Sequence, residues 1–257
     1  MIAGKRVIVS GAESDYGRAV VDRLLEDGVT VHAADAALPT ALGDVGRHGK
    51  TESFRYHPYE TGQPDEIAEI VAMVARDGRI DGLVCCCSAL EVATLEATVP
   101  QMWERILARN LTEPYLWARA VLGTMREAAY AGPGGASVVM VGSMNGLFAE
   151  PALAAYCAAK AGLVGLTRAI ALDYGAFGVR CNCICPGYID TPGLNAYFAA
   201  SADPDTARSL VELRHPMKRI GNTVEVAAAV AFMLSDDCQF CTGQALVIDG
   251  GLSAGMV

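Results

Sequence analysis

Short apolar runs alternate with helix-patterned stretches along nearly the whole chain, and this alternation is the strongest constraint on what it can fold into. The runs at residues 5–10, 29–34, 82–87, 137–141, 179–185 and 244–249 are mostly apolar at successive positions, as strands buried on both faces must be. Between them, apolar residues recur at helical spacing. They include Ala19, Val20, Leu24 and Leu25 within 16–27, Ile67, Ile70, Val71 and Val74 within 65–76, and Met102, Ile106, Leu111, Tyr115 and Val121 within 100–131. Pro114 interrupts that third stretch, and further helices are expected at 153–174 and 224–234. Strands alternating with helices predict an α/β fold: one doubly wound, mostly seven-stranded parallel sheet with helices on both faces, in a single domain over 1–257. Between 36 and 59 the pattern is poor, with Gly43, Gly46 and Gly49 weakening any helix.

Charge and composition narrow the function classes. A formal net charge of −9 argues against nucleic acid or an anionic membrane as a partner through bulk electrostatics. Charges, glycines or prolines are expected to interrupt every apolar stretch before membrane-spanning length. The first residues run straight into the first strand, leaving no room for a signal peptide, so a cytoplasmic protein is expected. The nine cysteines include Cys85-Cys86-Cys87, Cys181/Cys183/Cys185 and Cys238/Cys241. Strand alternation is taken to let no more than two of each triplet share a site, and Cys238-Gln239-Phe240-Cys241 has no second CxxC or His pair. Buried free thiols are expected, with no metal.

Three short patterns carry chemistry. A glycine-bearing strand-to-helix turn, Ser10-Gly11-Ala12-Glu13-Ser14-Asp15-Tyr16-Gly17, opens the chain, and such a turn presents backbone N–H groups and a helix dipole to phosphate. Asp35 stands at the end of the next strand. Tyr156 and Lys160 lie one helical turn apart, with Ser143 upstream at the end of a strand. A free phenol, with a pKa of about 10, is a poor base at neutral pH, and an ammonium one turn away favours its ionised form. Taken alone, this pair fits a chance neighbour on a helix surface equally well.

In order and spacing these pieces, with Asn110, Pro186-Gly187 and Asp249-Gly250-Gly251, resemble the short-chain dehydrogenase/reductase family over essentially the whole chain. The resemblance implies a Rossmann-type fold and hydride transfer between NAD(H) and a secondary alcohol/ketone pair. Tyr156 would be proton donor/acceptor, Lys160 would lower its pKa and hold the nicotinamide ribose, Ser143 would orient the substrate oxygen, and Asn110 would hold a relay water. The implied cofactor contacts are Ser10, Gly11, Asp15, Tyr16, Gly17, Asp35, Cys86, Asn110, Tyr156, Lys160, Pro186, Gly187, Ile189 and Thr191. NAD follows from Asp35, which would accept bonds from the adenosine ribose hydroxyls and repel a 2′-phosphate. Residues 187–221 match the place of a substrate lid, and Asn145, Glu150, Tyr188, Leu194, Tyr197 and Phe198 are candidate substrate contacts. A homotetramer, or a homodimer, is expected through the helices at 100–131 and 153–174.

The departures from the family pattern are specific. Asp15 replaces the middle glycine of the turn, where a positive φ is expected, with a carboxylate that lies near the pyrophosphate or caps the same N–H groups. At ~4 Å a like-charge contact costs about 1 kcal/mol in water and about 4 at an effective dielectric of 20. Cys85-Cys86-Cys87-Ser88 stands for Asn-Asn-Ala-Gly, and Tyr59 for an adenine-binding aspartate, where its ring is expected to stack on or cover the base. Two alternatives stay open: a cofactor-independent lyase of halohydrin-dehalogenase type, and a catalytically weak binding protein. Lys160 and Asp35 point away from the first, and the intact Ser143/Tyr156/Lys160/Asn110 set away from the second.

Overall fold

The computed structural model describes residues 2–36, 53–129 and 135–255. Its apolar runs become β1 (Arg6–Ser10), β2 (Thr30–Asp35), β3 (Phe54–Pro58), β4 (Gly82–Cys85), β5 (Ala136–Val141), β6 (Val179–Pro186) and, last in the chain, β9 (Ala245–Ile248). All seven pair in parallel in the order β3-β2-β1-β4-β5-β6-β9. The sheet therefore grows outward from β1 in one direction, then resumes on its other side at β4. The crevice beyond the carboxyl ends of β1 and β4 is the switch point where α/β sheets take ligands. Strand register brings Ser10, Asp35, Cys85, Val141 and Pro186 to that one edge.

Helices cover both faces. On one, α1 (Asp15–Glu26) and α8 (Thr223–Leu234) bury Val20, Leu24, Val226 and Val230 against Val7, Val9 and Val84. On the other, α2 (Pro64–Asp77), α4 (Glu113–Ala129) and α5 (Ala154–Tyr174) bury Ile67, Val74, Trp117, Val121 and Leu163 against Ile8, Leu83 and Val138. All nine cysteines are free thiols. Cys181, Cys183 and Cys185 all join the second core, because residues two apart on a strand share a face; the expectation that at most two of that triplet could do so is corrected.

The helix expected over 100–131 is not one α-helix. It consists of α3 (Pro100–Leu107), a π-helical turn (Ala108–Thr112) and α4, with the Glu113 N–H donating to the Ala108 carbonyl five residues back. Pro114 supplies the reason, since it has no N–H for the carbonyl of Asn110 and its ring crowds that turn.

Residues 187–221 are more regular than their prolines suggest. They form β7 (Ile189–Asp190), α6 (Pro192–Ala199), α7 (Pro204–Arg214) and β8 (Gly221–Asn222), and β7 pairs with β8 to close the excursion at its base. Proline sits in the first turn of each helix, where its missing N–H costs nothing. One expectation about length fails: Ala154–Phe177 is long and apolar enough to cross a membrane, although 44% of its most apolar window is buried within the fold. Gly43, Gly46 and Gly49 lie outside the described residues.

Candidate active site

Lys160 is a buried cation of the cleft. It is 1% exposed, its Nζ donates to the Val141 carbonyl at 3.1 Å, and it stands 5.6 Å from the centroid of the Tyr156 ring. A buried ammonium is costly unless something nearby gains from its charge. Ser143 follows β5 and opens a short 3₁₀ turn, its Oγ accepting from Asn145 N at 3.1 Å and donating to Asn145 Oδ1 at 3.2 Å. That turn lies directly on α5: a Cβ at Gly146 would come within 2.7 Å of the Lys160 carbonyl oxygen, and Asn145 Nδ2 reaches Cys157 Sγ at 3.9 Å. The serine segment and the Tyr156–Lys160 turn are therefore packed together, as the sequence expectation requires.

Asn110 sits differently from a side chain that holds a water. It is fully buried, its amide donating to the carbonyls of Ala89 at 2.7 Å and Ile106 at 2.8 Å, while its Oδ1 accepts from Ser88 Oγ at 3.1 Å. The side chain thus fastens the π-helical turn to the segment after β4.

The glycine turn is tight. Gly11 takes φ +69°, and a Cβ there would meet Cys87 N at 2.6 Å; at Gly17 it would meet the Gly11 carbonyl oxygen at 2.1 Å. Ser14, not Asp15, caps α1, its Oγ accepting from Gly17 N at 3.0 Å. Asp15 is instead the first helical residue, is not among the residues with positive φ, and lies 3.9 Å from Arg18, correcting the left-handed conformation expected of it. The first-turn N–H groups of Asp15 and Tyr16 have no partner within the helix, and the acidic residues Glu13 and Asp15 border them. Ser10 is buried, tying β1 to β4 through Val84 and Cys87, and Cys86 N donates to the Ser10 carbonyl at 2.8 Å. Burial, reinforced by Tyr156, Asp15 and Cys86, raises the Tyr16 phenol well above its ordinary pKa.

Asp35 is 4% exposed and already engaged: Oδ2 accepts from Glu13 N at 2.9 Å, and Oδ1 accepts from Ala36 N at 2.7 Å and from Arg109 Nη2 at 3.2 Å. Arg109 also donates to Thr61 Oγ1 at 3.2 Å. One turn further on, Glu113 is 1% exposed and accepts from Gly62 N at 2.9 Å. Tyr59 is not an adenine contact. Its ring lies in the core at 5.3 Å from Trp117, edge to face, and its hydroxyl accepts from Trp117 Nε1 at 3.2 Å. Burial works against the Arg109 charge, but Cys87, Tyr59, Asp35 and Glu113 outweigh it and raise the guanidinium above its ordinary pKa.

Beyond β6, Pro186 pairs with Ile248, and a Cβ at Gly187 would meet Asp249 Cβ at 2.6 Å and Met144 Sδ at 3.5 Å, so this segment borders the serine turn. Ile189 is buried under Gly221, and Thr191 caps α6, its Oγ1 accepting from Leu194 N at 3.2 Å. The Tyr188 hydroxyl donates to Glu150, and Asn145 Nδ2 donates to the other oxygen of Glu150 at 3.4 Å, which joins three of the candidate substrate contacts into one chain starting at Ser143. Tyr197 is 59% exposed, whereas Phe198 is buried beneath the Arg208 guanidinium, so Phe198 packs within the 187–221 excursion.

Glu13, Thr61, Arg109 and Glu113 are absent from the sequence-based list of site residues. Arg109 carried a usable signal: it is a cation directly beside Asn110, close to the apolar Ile106 and Leu107.

A family model described as enoyl-(acyl carrier protein) reductase matches residues 11–253. The 2-(S)-hydroxypropyl-CoM dehydrogenase 3 of Xanthobacter autotrophicus is 30% identical over 250 residues, covering 96% of each chain. The D-beta-hydroxybutyrate dehydrogenase of Rhizobium meliloti is 30% identical over 265 residues, covering 97% of this chain and 99% of its own. The ligand-free aldohexose dehydrogenase of Thermoplasma acidophilum superposes with a TM-score of 0.88 at 29% identity, over 99% of this chain and 96% of that one. The chain belongs to the short-chain dehydrogenase/reductase family and is an oxidoreductase of that family.

Proposed function

We propose that this protein is an NAD-dependent dehydrogenase/ketoreductase acting on a secondary alcohol/ketone pair. The observation that carries the reading is the buried Lys160 ammonium, held by the Val141 carbonyl beside the Tyr156 ring. An isolated ammonium at 1% exposure has little reason to persist there unless negative charge develops on the phenol. Relatives named as dehydrogenases of hydroxy compounds support the same chemistry.

The cradle fits a nicotinamide dinucleotide. The close approach of Gly11 to the Cys87 backbone and the first-turn N–H groups of α1 suit a pyrophosphate, with Asp35 at the ribose and the 186–191 segment along the nicotinamide. When bound, a nicotinamide would supply the acceptor for the hydride leaving the carbinol C–H bond. Tyr156 takes the hydroxyl proton as that C–H bond breaks, and Lys160 supplies the positive charge that the phenolate needs. Ser143, already oriented by Asn145, donates to the substrate oxygen, and the Asn110 carbonyl holds the water through which the proton leaves. Residues 187–221 act as the lid, with Tyr188, Leu194 and Tyr197 over the substrate. The same reading makes the protein cytoplasmic and a homotetramer through α4 and α5, which leave Tyr115 and Leu172 exposed in one chain.

The test is a titration with NAD, NADH and NADPH, followed by a panel of secondary alcohols read at the reduced-nicotinamide absorbance. Binding with turnover is expected. If no nicotinamide nucleotide binds, the carboxylates of Glu13 and Asp15 have closed the phosphate seat, and the lyase or binding-protein reading takes over.

A further inference from the structure

The acid at the end of β2 is not alone. Asp35 Oδ1 accepts from Arg109 Nη2 at 3.2 Å, and the guanidinium, whose side chain is 22% exposed, spans from that carboxylate to Thr61 Oγ1. Arg109 comes from the π-helical turn across the crevice, so two elements meet where a ribose would lie. With the Glu13 and Ala36 N–H groups, it takes up accepting positions on both carboxylate oxygens, including those a ribose would use.

Two consequences follow for anything presented at that position. A bare carboxylate excludes a second anion, whereas a carboxylate paired with a guanidinium is close to neutral at a distance. A guanidinium has five N–H donors in a planar fork, and the two recorded bonds leave others to engage a phosphate. We propose that Arg109 is the residue that sets cofactor preference in this protein: paired with Asp35 it lets the site admit a 2′-phosphate beside the 2′-hydroxyl, so that NADP(H) is a usable second cofactor. The proposal rests on the nicotinamide reading given above and adds to it the identity of the discriminating residue.

Direct binding separates the two. Dissociation constants for NADH and NADPH are measured by nucleotide fluorescence for the wild type and for Arg109→Leu and Arg109→Lys. The wild type is expected to bind both, with NADH favoured by no more than about tenfold, because the Asp35 charge is largely offset. Arg109→Leu should weaken NADPH at least about tenfold and change NADH by less than about threefold, and Arg109→Lys should keep most of the NADPH affinity. Competition on the wild type by 2′,5′-ADP against 5′-ADP gives the same comparison should the leucine variant not fold; affinities within about tenfold are expected. If Arg109→Leu weakens both dinucleotides equally, or leaves NADPH untouched, the assignment to Arg109 is wrong while the dehydrogenase reading stands. If NADH binds and neither NADPH nor 2′,5′-ADP does, the pair excludes the phosphate and the inference is overturned. If neither dinucleotide binds the wild type, both readings fall together.

Discussion

The two ends of the cleft are built on different terms. At the proton-transfer end, Lys160, Ser143 and Asn110 are fixed by backbone carbonyls, by an amide and by close glycine packing, with one buried cation and no carboxylate among the groups that hold them. At the other end, beside the glycine turn and β2 and proposed above to take the adenosine, Glu13, Asp15, Asp35 and Glu113 surround Arg18 and Arg109, and charge is set against charge. Neutral fixings give one geometry and little room for exchange. Ion pairs can be shifted by a single substitution, so cofactor affinity should be adjustable here without touching proton transfer.

The sharpest way to break that separation is Tyr156→Phe. Loss of the proton-transferring group should cost about 10²–10⁴ in turnover while NADH affinity stays within about twofold; activity above a few per cent of wild type would remove Tyr156 from the proton route. Lys160→Ala, at the same end but reaching toward the ribose, should lower turnover by at least about tenfold and also weaken NADH several-fold. A turnover loss with unchanged binding would confine the lysine to the phenol.

At the other end, Asp35→Ala should shift the kcat/KM ratio of NAD to NADP by about tenfold toward NADP, since a repelling charge is lost and Arg109 is released. An unchanged ratio would mean that the ribose is read elsewhere. The smallest effect belongs to Asp15→Gly. Removing one carboxylate from the phosphate seat should tighten NADH several-fold, for about 1 kcal/mol, with the gain shrinking at high salt. Because Ser14 caps the helix, the melting temperature should hardly move; a clear drop would reveal a structural role for the Asp15–Arg18 contact.

The sheet order and the packing of the serine turn against the Tyr156–Lys160 turn were legible because each depends on local spacing. Consecutive apolar residues mark buried parallel strands, and Tyr156 and Lys160 share a helix face by periodicity alone. The adenosine end was legible only in part. Asp35 follows from its strand, but its partner lies 74 positions away on a turn whose π geometry no propensity encodes. Tyr59 was misplaced for a related reason: a tyrosine in that register can point to the crevice or into the core, and the choice is made by Trp117, which offers an N–H and a ring edge. Asp15 was expected to take the glycine's backbone conformation, yet starting the helix there, with Ser14 as cap, lets an ordinary residue fit.

The π-helical turn also has an evolutionary reading. It holds one residue more than an α-helix would use over the same span, and each residue of an α-helix turns the chain by about 100°. Substitutions at position 109 exchange one side chain and leave the register of α4 alone. A one-residue deletion between Ala108 and Thr112 would let the same span close as a plain α-helix, keeping Trp117 and Val121 in the core and Glu113 at Gly62 while removing the turn that carries Arg109 to Asp35. Length at this turn therefore governs where residue 109 is presented, and residue type what it presents, while the core face of α4 stays as it is.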